Sequence, residues 1–132
     1  PVTAGDSLIS FIPLILGNLL PENILEELVN GLKEDNRFLT PYGLATESIS
    51  SSFYNPDGYW RGPIWAPVMM IIIDSLNRAG KTDFSNELRK KYLNLIKTGG
   101  LAENFNAKTG EGLRDKGFAW TSAVFLILND NT

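Results

Sequence analysis

The chain has 132 residues, of which 43% are hydrophobic and 20% charged, and a formal net charge of -3. That length suits one modest folded domain, and the acidic balance leaves no basic face for nucleic acid, since Arg89, Lys90 and Lys91 fall where a solvated helix face is expected. Cysteine and histidine are both absent, which excludes disulfides, thiolate metal sites, the common zinc sites and the Ser-His and Cys-His triads, so any catalysis rests on carboxylates, hydroxyls, amides, Lys, Arg or Tyr.

After a short irregular start, Asp6 and Ser7 can cap "LISFIPLILGNLL". Its apolar content is nearly continuous, and Pro13 and Gly17 weaken it as a free helix, so it reads as a buried, kinked helix. "PENILEELVNGLKEDN" begins with Pro21 at a favoured first-turn position, and Leu25, Leu28, Val29 and Leu32 repeat at helical spacing with charges opposite. This is the pattern of an outer amphipathic helix.

From Arg37 to Gly62 the periodicity vanishes. Asn55 to Gly58, "NPDG", is a turn signal, and a non-regular stretch this long is usually functional when its aromatics argue against a linker. "PIWAPVMMIIIDSLNRAG" then reads as a central helix, apolar all round in its first turns and closed by Gly80. "KTDFSNELRKKYLNLIKTGG" follows, with Thr82 or Asp83 as N-cap, an apolar face of Phe84, Leu88, Tyr92 and Leu95, and Gly99-Gly100 as its stop. A second irregular stretch, "LAENFNAKTGEGLRDKG", leads into "FAWTSAVFLIL", which is apolar on every side and reads as another buried helix.

The expectation is about five helices, buried ones alternating with amphipathic ones as helical hairpins, and no strand. Helices that are apolar around their whole circumference need more neighbours than these segments supply. The run Ile64 to Ile73 is broken by Pro67 and stopped by Asp74, well short of the ~20 residues of a membrane span. The opening residues lack the cationic stretch of a signal peptide, so a cytoplasmic location is expected.

Three segments carry a resemblance: "GYWRGPIW", "LAENFNAKTGEG" and "GFAWTSA", in that order and spacing. Together with "RFLTPYGLATES" and "FIPLILGNLLPE", they resemble the C-terminal part of glycoside hydrolase family 63 and its relatives, the mannosylglycerate hydrolases, trehalases and glycogen-debranching-related proteins. The resemblance covers nearly the whole chain. It implies an all-α fold, part of an (α/α)6 toroid of the six-hairpin glycosidase type, with residues 1–132 as the C-terminal portion of the catalytic domain. Ala107, where many relatives have proline, and Ala119, a slot often held by serine or glycine, depart from the pattern. The family's general acid is an aspartate well upstream of "YWRGPIW", and nothing in this chain matches its motif.

Carried over residue by residue, the resemblance makes Glu103 the general base of an inverting α-glycosidase acting on an α-glucoside or α-mannoside. Such enzymes need two carboxyls about 6.5–9.5 Å apart, one to protonate the leaving oxygen and one to deprotonate water. A glycine-bounded loop between apolar segments suits a base, although by position alone Glu103 is also an ordinary glutamate near a helix end.

Pyranose rings present apolar C–H faces, so Trp60, Trp65 and Trp120 fit as walls, with Tyr42, Tyr59 and Phe105 nearby. Trp65 fits core packing equally well. Arg61 suits a hydroxyl or a substrate carboxylate, or else a salt bridge to Asp57 or Glu47 that fixes the loop. Asp57 needs only the turn to explain it, and Glu111 is a further candidate polar contact. No cofactor or metal is expected. The expected partners are an oligosaccharide or small glycoside and either the missing N-terminal half of the barrel or a partner chain; the alternative is a non-catalytic helical carbohydrate-binding or protein-interaction module.

Overall fold

The computed structural model describes residues 5–130; the expected irregular start at residues 1–4 lies outside them. The first element, Leu8–Leu19, is a 3-10 helix, where the sequence led us to expect an α-helix. Its buried residues, Leu8, Phe11, Leu14 and Gly17, recur every third position. That is the 3.0-residue turn of a 3-10 helix. Pro13 has no N–H for an α ladder, and Gly17 breaks the run at φ 56°.

Helix α1, Glu22–Lys33, buries Leu25, Val29 and Leu32 as its spacing required, with Glu22 in the first turn and Lys33 in the last. Residues 34–65 carry no helix but hold a good part of the core: Phe38, Leu44 and Ala45 are fully buried. The turn expected at Asn55 to Gly58 is closed by the Gly58 N–H donating to the Asn55 carbonyl at 2.9 Å.

Helix α2, Ala66–Arg78, is central and packs against the 3-10 segment, α3 and α4. Helix α3, Thr82–Gly99, lies antiparallel to it in a hairpin turned at Gly80, whose φ is 75°. Lys81, rather than Thr82 or Asp83, occupies the N-cap. Its ammonium is drawn to Glu22 and Glu26 of α1, which ties the start of α3 to the outer helix. Gly100, at φ 78°, ends α3 by donating its N–H to the Ile96 carbonyl.

Between α3 and the last helix stand two strands that the sequence did not announce, β1 (Asn104–Phe105) and β2 (Gly112–Leu113), paired antiparallel. Two residues each are too few for period-two alternation to register.

Helix α4, Ala119–Asp130, buries only Thr121, Val124 and Leu128. Leu126 is 67% exposed, and in the 3-10 segment Ile9 and Leu19 are 67% and 79% exposed. The expectation that both apolar segments are buried all round is therefore corrected. Within this chain each packs on one side only, because the described residues place no further helices against the other side.

Candidate active site

The site is built where the three motifs meet, and main-chain hydrogen bonds hold it together. Ile64 and Phe105 exchange both N–H to carbonyl bonds, at 2.8 and 3.0 Å, so the segment before α2 lies alongside β1, with β2 on its other side. Next in the chain from β1, the Glu103 N–H donates to the Asp115 carbonyl at 2.7 Å. The third motif closes from below: the Phe118 N–H donates to the Leu101 carbonyl, and the Thr121 hydroxyl to the Ala102 carbonyl at 2.6 Å.

The approach to α2 is shaped by Gly62. A Cβ there would stand 2.3 Å from the Asn55 carbonyl oxygen, so no larger residue fits without moving the turn. Thr46 fastens the same place, its hydroxyl accepting from the Gly62 N–H and donating to the Pro63 carbonyl.

Trp65 is the hub of the aromatic cluster. It is 1% exposed and gives its indole N–H to the Tyr59 carbonyl at 2.9 Å. Trp60 stacks on it at 4.2 Å and 14°, while Tyr59 meets it edge-on at 4.8 Å. Trp120 and Phe118 approach at 6.2 and 6.4 Å. With one face of Trp60 laid on Trp65, its other face remains open, and Trp60, Tyr59 and Trp120 are each about half exposed. Trp65 itself, like the fully buried Phe105, has almost no surface left for a ligand. Phe105 packs edge-on against Tyr92 and supports the floor of the site.

Glu103 is half-buried beside this wall. The Tyr59 phenol titrates above its ordinary value, first because it has lost part of its water, then because the Glu103 carboxylate stands next to it; the Arg114 cation opposes the rise. Arg61 is exposed, and its side chain has no hydrogen-bond or ion-pair partner among the described residues. The salt bridges considered for it do not form. Asp57 pairs with Arg114, and Glu47 accepts from the Ser51 hydroxyl and the Asp6 N–H. Tyr42 stands apart, its ring packed over Gly110, where it lines a groove with Glu87, Lys91 and Asn94 of α3. Glu111 is exposed, with its carbonyl accepting from the Asn106 N–H.

Sequence reasoning missed Arg114. Its guanidinium donates to both the carbonyl and Oδ1 of Asp57, at 3.1 and 2.8 Å, and its Cζ lies 5.1 Å from the Tyr59 ring centroid. An arginine in "GLRDKG", between two glycines of an irregular loop, was the available signal. Among the described residues no group of three or more acidic side chains is placed to hold a metal ion. An apolar groove of about 290 Å³ between the 3-10 segment and α2 also touches Trp60, but its lining has no acidic or basic side chain.

Residues 2–121 match the family model described as the mannosylglycerate hydrolase MGH1-like glycoside hydrolase domain. A probable mannosyl-oligosaccharide glucosidase of Schizosaccharomyces pombe is 30% identical over 93% of this chain, and a mannosylglycerate hydrolase of Thermus thermophilus is 28% identical over 89%. The chain spans only 18% and 28% of the length of those two proteins. Among solved structures, the GH63 mannosylglycerate hydrolase of Thermus thermophilus in complex with glucose superposes with a TM-score of 0.80 at 26% identity, over 94% of this chain and 32% of that one. The fold is accordingly all-α, a set of helical hairpins forming part of an (α/α)6 toroid. With the family model matching residues 2–121, the chain belongs to the MGH1-like glycoside hydrolases of family 63.

Proposed function

We propose that this chain is the C-terminal portion of an (α/α)6-barrel α-glycosidase, supplying the general base and one wall of the sugar pocket of an inverting hydrolase. The observation that carries the reading is the placing of Glu103: the carboxylate that the family resemblance makes the base stands against Tyr59, at the edge of an exposed aromatic cluster. A base must reach the water it deprotonates, and a pyranose must lie against something flat; one short chain brings both requirements together. In this reading Trp60 and Trp120 face the sugar, Trp65 and Phe105 hold them from behind, and Arg61, with no protein partner, meets a hydroxyl or carboxylate of the substrate. The relatives named for mannosylglycerate and for mannosyl-oligosaccharides support an α-mannoside or α-glucoside as substrate. Tyr42, on the far side of Gly110, takes part only if another element carries the substrate across to it.

The general acid lies outside this chain in the same proposal, so the 132 residues alone hydrolyse nothing. The exposed apolar sides of the 3-10 segment and α4 support this, because the remaining hairpins of a barrel, or a partner chain, would cover them. No helix among the described residues is long and apolar enough to cross a membrane, and the proposal keeps a cytoplasmic location.

The test is made in the full-length protein with mannosylglycerate, glucosylglycerate and the 4-nitrophenyl α-glucoside and α-mannoside. Glu103→Gln is expected to lower kcat by about 10²–10⁴-fold while binding persists, seen as retained quenching of tryptophan fluorescence by the substrate. A near-normal rate would remove Glu103 from the mechanism. The alternative, a non-catalytic carbohydrate-binding module, predicts binding without turnover in the wild type as well.

A further inference from the structure

We propose that Arg114 and Asp57 form a clamp that positions Tyr59, and through it Glu103, for catalysis; this rests on the reading of Glu103 as the base. The pair joins two loops far apart in sequence, the turn before the aromatic segment and the stretch after β2. One guanidinium nitrogen, Nη2, holds both the carbonyl oxygen and Oδ1 of Asp57, while the plane of the same group lies over the Tyr59 ring. Asp57 is anchored in turn, its N–H donating to Asn55 Oδ1 at 3.1 Å inside the tight turn. The cation therefore grips a fixed point of the loop and covers Tyr59, a side chain close enough to Glu103 to feel its charge.

The backbone gives the second observation. Tyr59 and Arg114 both sit at positive φ, 61° and 60°, a region that bulky side chains rarely occupy. Such conformations persist where surrounding contacts over-determine them, and they cluster at functional sites. The two strained residues face each other across the clamp. Yet the ion pair is open to water, with side-chain exposures of 37% and 64%, so it adds little to folding stability. What the contact does instead is fix a direction. With its ring held under the guanidinium, Tyr59 is kept on the side of the loop where the Glu103 carboxylate lies, and in this proposal it limits the directions in which that carboxylate can turn.

The experiment compares Arg114→Gln, Arg114→Lys, Asp57→Asn and the Arg114→Gln/Asp57→Asn double variant in the full-length enzyme, on whichever of the four glycosides above the wild type hydrolyses fastest. A displaced base is costly, and kcat is expected to fall about 10- to 100-fold in Arg114→Gln while KM changes less than about twofold. Asp57→Asn, which leaves the turn's backbone intact, is expected to lose kcat in the same way, and the double variant to be no worse than the worse single one. Arg114→Lys recovers part of the rate by keeping a cation over the ring, and Tm moves by less than about 2 °C throughout. A wild-type kcat in both single variants, or losses that simply multiply in the double variant, overturns the clamp. Glu103→Gln run alongside separates the two failures. If it stays active, the base assignment falls and the clamp falls with it; if it is inactive while the clamp variants are normal, the clamp alone is wrong.

Discussion

Trp65 and Trp120 each stand where a glycine-bearing aromatic loop turns into a helix, yet the first is 1% exposed and the second 51%. The difference lies in register. Trp65 is the N-cap of α2, still in extended conformation at φ -120°, and its ring is carried inward among Tyr59, Trp60 and Phe118. Trp120 is already inside the first turn of α4, on a helix that buries only three of its residues, and so points outward. Two segments of nearly the same composition thereby divide the work: one anchors the wall to the core and the other offers its surface. The comparison shows that residue type does not decide whether a ring of an aromatic motif is buried or exposed; where it falls relative to the helix start does.

Replacing the two rings should pull this contrast apart most widely. Trp65→Ala is expected to cost about 3–5 kcal/mol in denaturant unfolding, the range for a fully buried tryptophan. Trp120→Ala should cost less than about 1 kcal/mol while weakening glycoside binding in the full-length protein by about tenfold. Equal stability losses would mean that the division is not real. The glycines offer a smaller version of the same test. Gly62→Ala drives a Cβ against the Asn55 carbonyl and should cost about 1–3 kcal/mol, whereas a Cβ at Gly117 meets nothing within 4 Å and its alanine variant should lie within about 0.5 kcal/mol of wild type.

The third test concerns the floor on which both segments rest, where Tyr92 packs on Phe105 and its phenol neighbours Thr121. Burial pushes the Tyr92 phenol well above its ordinary value, and the Thr121 hydroxyl opposes this only in part. The folded chain thus keeps a proton that the unfolded chain gives up once the pH passes about 10. Stability from this residue is unchanged below that pH and declines above it, by at most about 1.4 kcal/mol per pH unit. Alkaline titration followed by circular dichroism should show the decline in wild type and a shallower one in Tyr92→Phe.

Most of the helices were legible, because α1, α2 and α3 carry their burial in their spacing and their ends in Pro21, Gly80 and Gly100. The 3-10 segment was harder. Leu8, Phe11, Leu14 and Gly17 do repeat every third residue, but Ile9, Ile12 and Ile15 between them are just as apolar, so the sequence reports no face at all. Within the site, the meeting of "WRGPIW" with "ENFN" came from the motifs, and the pairing of Ile64 with Phe105 gives it a physical form. Arg114 and Asp57 stayed hidden because their contact depends on two loops at positive or turn backbone angles, which leave no periodic trace. Tyr42 lies over Gly110 and along α3, a position that its aromatic character alone did not indicate.

The exchange of hydrogen bonds between Ile64 and Phe105 also clasps the α2–α3 hairpin at its base. Thirteen residues of α2 carry the chain roughly 20 Å away before it turns back at Gly80. A Cβ placed at Gly80 would touch nothing within 4 Å. The hairpin is held at both ends, at its neck by this exchange and at its tip by Lys81, which reaches Glu22 and Glu26 of α1, and by Arg78, which donates to the Ile15 carbonyl of the 3-10 segment. A change of length at that turn would therefore be felt first by α1 and the 3-10 segment, and only through them by the pocket.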